Sequence, residues 1–339
     1  MKIIFFEVND YERIELKNFL DNIKEGTEIE FYEKKLSLDN VDKIKDAEII
    51  SVFINSEINK EIIDKLPNLK FIATRSTGYD HIDTEYAKIK NIKITNVPSY
   101  GAHTVAEFSF ALILALSRRV VESYQSLRDG TGFDISSFRG FDLSGKTLGV
   151  IGTGKIGKNV IKIAKGFNMN VLANDLYPDL EFANTNDFKY VSFEELLISS
   201  DIITLHVPYT KENYHLINKD NIGKIKKGGY IINTARGELI DTEVLIKALV
   251  NKDLGGAALD VLEAERYLKD EWEILKDWSM HLENIKLLLE DRMLIDLHKA
   301  IVTPHIAFYT KEAELEILKT TTNNIKAFIE NKMINILSL

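Results

Sequence analysis

Two doubly wound α/β domains, each built on a parallel sheet, are what this sequence predicts. Short β-rich runs alternate with helical patterns through the first hundred residues, an almost wholly apolar helix interrupts the series at 103–117, and a second alternating series follows. Strand and helix in strict alternation argue for parallel sheets covered on both faces. The length of 339 residues suits two domains, at ~100–200 residues each.

In the first series Ile3–Phe6, Ile29–Tyr32, Ile49–Phe53, Phe71–Thr74 and Lys93–Asn96 read as buried strands. Between them, Tyr11–Ile23 and Asn59–Leu66 place apolar residues at helical spacing. His103–Ser117 is apolar nearly all round, and such a helix is buried on several sides. It reads as a linker wedged between domains or between subunits. In the second series Thr147–Ile151, Asn170–Asn174, Ile202–His206, Tyr230–Asn233, Ala257–Asp260 and Ala300–Val302 read as strands. Lys311–Ile329 is then one long amphipathic helix, expected to pack back on the first domain and make it discontinuous. One segment stands outside the series. Between Glu265 and Ala300, Trp278, Leu282, Ile285 and Leu289 form a helical stripe, read as extra cover for the second domain, with a subunit contact as the alternative.

Composition narrows the function classes. With 43 Lys+Arg against 52 Asp+Glu the net charge is −9, and no basic block invites nucleic acid or an anionic membrane. The chain has no cysteine, which excludes disulfides, thiolate catalysis and Cys-ligated zinc and suits a cytoplasmic location. No metal is expected. The apolar run at the N-terminus is too short for a signal peptide. The most apolar stretch, Phe108–Leu116, is far below the ~20 residues that span a bilayer. A soluble protein is expected.

The clearest chemical motif is Gly152-Thr153-Gly154-Lys155-Ile156-Gly157, which follows a strand and opens a helix. The first glycine makes the tight turn, the second lets backbone approach a pyrophosphate, and the third permits close helix–strand packing. Asp175 ends the next strand at the offset expected of a ribose-binding acid. Together these predict a dinucleotide site. The strand ends His206-Val207-Pro208 and Asn233-Thr234-Ala235-Arg236 lie at carboxyl termini of the sheet, where ligands sit in open α/β folds. Arg236 offers a guanidinium fork suited to a carboxylate. His305, after the last strand, is the side chain best suited to pass a proton near neutral pH. A carboxylate beside it would favour the imidazolium. On spacing alone, Glu263 and Glu265 are equal candidates.

The run Gly228 to Asp241, the run Gly255 to Glu265, and Thr303-Pro304-His305-Ile306-Ala307-Phe308-Tyr309-Thr310 resemble the D-isomer-specific 2-hydroxyacid dehydrogenases. Upstream, Arg75-Ser76-Thr77-Gly78-Tyr79-Asp80 and Tyr100 to Glu107 resemble that family's substrate loop and hinge. Tyr100, the Ala-Phe-Tyr-Thr ending and the long segment after Glu265 look closest to the D-lactate dehydrogenase branch. The resemblance implies a Rossmann-type NAD domain over 101–305 and a flavodoxin-like substrate domain over 1–100 plus 306–339. It implies a catalytic triad of Arg236, Glu265 and His305, and backbone N–H groups of Thr77 and Gly78 for the substrate carboxylate. It adds Thr104 and Asp260 to the cofactor contacts. Two departures stand out: Asn213 replaces a threonine common in relatives, and Arg266 replaces the proline after the catalytic glutamate.

The expected activity is therefore NAD-dependent reduction of a small 2-keto acid, pyruvate favoured, to a D-2-hydroxy acid. Alternatives are a hydroxypyruvate or phosphoglycerate type, or a non-catalytic NAD-sensing protein on the same fold. The strand-end loop Phe53-Ile54-Asn55-Ser56 contains no cation for a second anionic group. Phe53 and Tyr100 are expected on the substrate side instead, with Arg75 the one nearby cation of unknown direction. A homodimer is expected, with 103–117 near the contact.

Overall fold

The computed structural model describes residues 1–21, 23, 25–130, 133–265, 268, 282–332 and 334–337. The chain divides into two compact units, Met1–Tyr100 with Tyr309–Leu339, and Gly101–Phe308.

The first unit is built on β1 (Lys2–Phe5), β2 (Glu28–Phe31), β3 (Ile49–Val52), β4 (Phe71–Thr74) and β5 (Lys93–Thr95), all parallel, in the flavodoxin-like order β2-β1-β3-β4-β5. Side chains alternate across it. Ile3, Phe5, Ile49 and Phe71 face one core, and Ile4, Phe6, Ile50 and Ile72 face the other, so the central strands β1, β3 and β4 are buried on both sides. The helix Lys311–Ile329 covers the first of these faces through Leu318 and Ile325, and Phe328 stacks on Phe71 at 4.3 Å.

The second unit holds a seven-stranded parallel sheet of β6 (Thr147–Ile151), β7 (Asn170–Asn174), β8 (Lys189–Tyr190), β9 (Ile202–Leu205), β10 (Gly229–Asn233), β11 (Leu254–Leu259) and β12 (Ala300–Val302). Its order, β12-β11-β10-β9-β6-β7-β8, is the doubly wound Rossmann arrangement with one further edge strand. The register decides where function can sit. Asn174, Ile151, Leu205, Asn233, Leu259 and Val302 form one row across the sheet. The next residues in the chain, Asp175, Gly152, His206, Thr234, Asp260 and Thr303, therefore emerge along a single carboxyl edge.

Four expectations need correction. The edge strand β8 escaped the sequence reading because two residues carry no periodicity; pairing with Leu172 and Ala173 of β7 defines it. The helix Ala102–Ser117 belongs to the second unit, where Phe110 and Ile113 share a core with Val160 and Ile161 of the helix Lys155–Gly166. It is not enclosed all round: His103, Glu107 and Ala111 form an exposed strip of polar or small residues. The junction expected at 305/306 falls at 308/309, because Asp260 of β11's trailing loop accepts the N–H groups of Ile306 and Ala307. The expected cover helix exists as Leu282–Asp296, but Ile285 and Leu289 are 40% and 59% exposed while Glu290, Asp291 and Leu294 are buried. Trp278 lies outside the described residues. Among the described residues no helix is long and apolar enough to cross a membrane.

Candidate active site

The glycine loop is shaped by close approaches. Gly152 sits at φ 92°, where L side chains are strained, and a Cβ there would lie 2.6 Å from His206 O. A Cβ on Gly157 would meet Gly152 O at 2.0 Å, whereas Gly154 opens on free space. The first N–H of this helix with a backbone partner is that of Lys158, bonded to Gly154 O. The N–H groups of Gly154, Lys155 and Ile156 have no partner among the described residues. A loop closed to side chains at Gly152 and Gly157, open at Gly154 and lined with unpaired donors fits a dinucleotide's pyrophosphate.

Asp175 holds this loop. Its Oδ2 accepts Thr153 N–H at 2.6 Å and Thr153 Oγ1 at 2.9 Å, and its Oδ1 accepts Tyr177 N–H at 2.8 Å. Burial works to raise its pKa, but these donors outweigh it and hold the carboxyl below the usual range. Thr153 engages both lone pairs of Oδ2, which leaves Oδ1 as the acceptor for a ribose hydroxyl. Tyr190 of β8, unnoticed in the sequence, completes the brace: its hydroxyl lies 2.8 Å from Thr153 Oγ1 and accepts Asp179 N–H.

At the neighbouring strand end, burial pushes the pKa of His206 down to about 3, so its ring is neutral, with Nε2 2.9 Å from Thr204 Oγ1. Val207 packs against Gly152. Pro208 O accepts the Asn213 amide, whose oxygen takes Thr210 N–H. Asn213, the departure from the family pattern, thus caps a one-turn helix. Thr104 is buried, and Thr234 lies 3.0 Å from Ser109 Oγ of the same helix. The turn into Arg236 is braced by buried Asn233, which accepts Ala235 N–H and donates to Arg236 O. Arg236 Nη1 donates to Ala235 O at 2.7 Å.

His305 stands at φ 56°, a costly conformation for a residue with a Cβ. Buried Asp260 imposes it, accepting Thr303 Oγ1 at 2.5 Å, Ile306 N–H at 2.9 Å and Ala307 N–H at 2.7 Å. Burial raises the Asp260 pKa against the pull of these donors. Asp260 is expected among the cofactor contacts, whereas its carboxylate accepts hydrogen bonds that brace the turn carrying His305. Of the two glutamates that spacing left equal, Glu265 reaches His305, with Oε1 2.8 Å from Nδ1. Glu263 turns away to Tyr214, His215 and Thr242.

The first unit carries two loops at its own carboxyl edge. Thr77 O accepts Asn96 Nδ2 at 2.7 Å and Gly78 O accepts Ser76 Oγ at 2.6 Å. With both carbonyls fixed, the N–H groups of Thr77 and Gly78 have no partner among the described residues, an arrangement suited to a carboxylate. Loop Phe53–Ser56 is held by Glu7, whose carboxylate accepts Phe53 and Asn55 N–H groups, each at 3.1 Å. Arg75, whose direction the sequence left open, is 1% exposed. It donates to Phe6 O at 2.8 Å and Glu7 O at 2.7 Å, with the Phe53 ring 5.9 Å from its guanidinium. Tyr100, half-buried, ends the first of this unit's two segments.

Residues 110–307 match the model of the D-isomer specific 2-hydroxyacid dehydrogenase NAD-binding domain. D-lactate dehydrogenase of Escherichia coli is 35% identical over 96% of both chains. The chain belongs to this family. Glyoxylate reductase of Thermococcus litoralis is 34% identical, over 86% of this chain and 84% of its own. The structure of Aquifex aeolicus D-lactate dehydrogenase complexed with NAD and lactic acid superposes with a TM-score of 0.84 at 36% identity, covering 97% of this chain and 96% of that one. The protein is thus an NAD-dependent D-2-hydroxyacid dehydrogenase, reducing 2-keto acids to D-2-hydroxy acids.

Proposed function

We propose that this dehydrogenase reduces pyruvate, or a near homologue with a short apolar side chain, to D-lactate or its homologue, with Arg236, Glu265 and His305 as catalytic residues. The observation that carries the reading is the Glu265–His305 pair: Nδ1 is held by a carboxylate at 2.8 Å, and Nε2 has no partner among the described residues. His305 gives a proton from Nε2 to the carbonyl oxygen, while Glu265 fixes the ring through Nδ1. Arg236 grips the substrate carboxylate and polarises the carbonyl. NADH, when bound, supplies the hydride. Thr77 and Gly78 offer N–H groups to the carboxylate, and Phe53 and Tyr100 form the apolar side of the substrate site. Gly152 and Thr153 shape the loop whose Gly154, Lys155 and Ile156 N–H groups take the pyrophosphate. Asp175 takes the ribose hydroxyls, and Thr104, His206, Val207, Pro208, Thr234 and Ala235 line the cofactor.

Arg75 supports the small substrate. With its guanidinium spent on the Phe6 and Glu7 carbonyls, it is not offered to a second anionic group. The deciding measurement is kcat/KM for pyruvate against 2-ketoglutarate and hydroxypyruvate phosphate. Preference for either doubly anionic acid would overturn the pyruvate reading. A second copy of the chain is the proposed partner, with 103–117 near the contact and the following helix Val120–Arg128 offering exposed Val120, Tyr124 and Leu127 to it. The cysteine-free composition favours a cytoplasmic location.

A further inference from the structure

The turn that follows β11 presents three consecutive residues to three different partners. Glu263, 4% exposed at its side chain, accepts the Tyr214 hydroxyl at 2.8 Å, lies 2.8 Å from His215 Nε2 and is approached by Thr242 Oγ1 at 3.3 Å. Ala264 donates its N–H to Asp291 Oδ2 at 2.9 Å. Glu265 reaches His305. The middle contact comes from the helix Leu282–Asp296, the segment that fits neither alternating series and whose apolar residues Ile285, Leu289 and Met293 are exposed.

Asp291 is an expensive residue to keep at this position. It is fully buried, and its Oδ1 has no partner among the described residues. The charged groups around it are mostly of its own sign: Glu263, Glu265 and Glu290. Lys286, the nearby cation, is engaged by Glu290 and Glu243, and His215 by Glu263, with Asp241 at 3.6 Å. Burial first, and these carboxylates second, push the Asp291 pKa up to about 7 against the pull of Ala264 N–H. An apolar side chain would fill the same space without that penalty. What an apolar side chain lacks is an acceptor for the peptide N–H between the two glutamates.

We propose that Asp291 is a positioning residue for the catalytic pair: by holding Ala264 N–H it sets the rotation of the turn that aims Glu265 at His305 and Glu263 at His215. The proposal rests on the reading of Glu265 and His305 as the proton-donating pair. It assigns a task to the segment between Glu265 and Ala300.

The test compares Asp291→Leu and Asp291→Ala, which remove the acceptor, with Asp291→Asn, which keeps one oxygen and mimics the neutral acid. Glu265→Gln is the reference. Keto-acid reduction is followed across pH, with NADH binding by fluorescence and folding by thermal melts. In Asp291→Leu or Asp291→Ala, kcat is expected to fall about tenfold. The pH–rate profile is expected to change in the same sense as that of Glu265→Gln, with NADH binding unchanged. Asp291→Asn is expected to stay within about twofold of wild type with an unmoved profile. Folded Leu or Ala variants with wild-type kcat and profile beside an impaired Glu265→Gln overturn the positioning role, as does an Asn variant as damaged as they are. A Glu265→Gln enzyme with wild-type rate and profile overturns the underlying catalytic reading instead.

Discussion

His305 Nδ1 lies 2.8 Å from Glu265 Oε1 although 40 residues separate them, and each end of that contact is held by a buried aspartate. Asp260 pins the turn of His305 through three donors, and Asp291 pins the turn of Glu265 through Ala264 N–H. Preorganisation of this kind fixes the geometry of a proton donor before substrate arrives.

His305→Ala is expected to lower kcat for keto-acid reduction by ~10²–10⁴-fold, the usual worth of a positioned general acid. NADH affinity by fluorescence titration should stay at the wild-type level. Glu265→Gln removes the carboxylate that holds Nδ1, so kcat should fall and the pH dependence of reduction should differ from wild type. Near-wild-type reduction by His305→Ala would defeat the assignment.

NADH is expected to be preferred over NADPH. Asp175 is ionised and faces any 2′-phosphate with like charge, and Leu176-Tyr177-Pro178 supplies no cation. Asp175→Ala should narrow the gap in kcat/KM between the two cofactors. It should also loosen Thr153, and KM for NADH should rise. A wild-type enzyme with equal kcat/KM for both would refute this assignment.

Arg75→Met is expected to destabilise the first unit rather than alter substrate charge preference. It strands the Phe6 and Glu7 carbonyls at a site 1% exposed, and a buried acceptor left unsatisfied costs ~1–3 kcal/mol. Thermal melts should show the loss, while the ratio of kcat/KM for pyruvate to that for 2-ketoglutarate stays unchanged. A gain for pyruvate over 2-ketoglutarate would show instead that Arg75 meets substrate.

Stability should fall as pH rises, in the range set by Asp291. Its folded pKa, about 7, is above the ordinary range of an aspartate carboxyl, so the folded state favours the protonated acid. The stabilisation is complete at acid pH and is lost as pH climbs through neutrality. Asp291→Asn stays neutral throughout. Its Tm relative to wild type should therefore rise between pH 5 and pH 8, and a constant difference would contradict the assignment.

Tyr124→Asp together with Leu127→Lys should yield a monomer by light scattering if the helix Val120–Arg128 is the dimer contact. Neither side chain is buried within the chain, so Tm of the dilute protein should barely change. An unaltered dimer would send the interface elsewhere.

Local signals explain how much could be read in advance. The turn Gly152–Gly157 was legible because strand, glycine turn, helix onset and Asp175 lie within one short stretch, where period and spacing encode the geometry. The five-stranded and seven-stranded sheets were legible for the same reason, except for β8, whose two residues borrow their strand character from β7. The triad residues were named through likeness to a family. Spacing alone placed Glu263 and Glu265 equally.

By itself, then, the sequence determined the elements, the strand ends at which chemistry gathers, and the dinucleotide loop, all properties carried by residues close together in the chain. Only tertiary structure decided which way side chains face. Arg75 turns inward because carbonyls of β1's trailing loop capture it. Ile285 and Leu289 stay exposed, although periodicity marks them for burial, while the same helix buries Asp291. Asp260 serves His305 because the N–H groups of Ile306 and Ala307 converge on it. Glu265, not Glu263, meets His305 in a turn tied to Asp291, far along the chain. Hydrogen bonds between distant segments outweigh local preference wherever a buried polar group has no other partner.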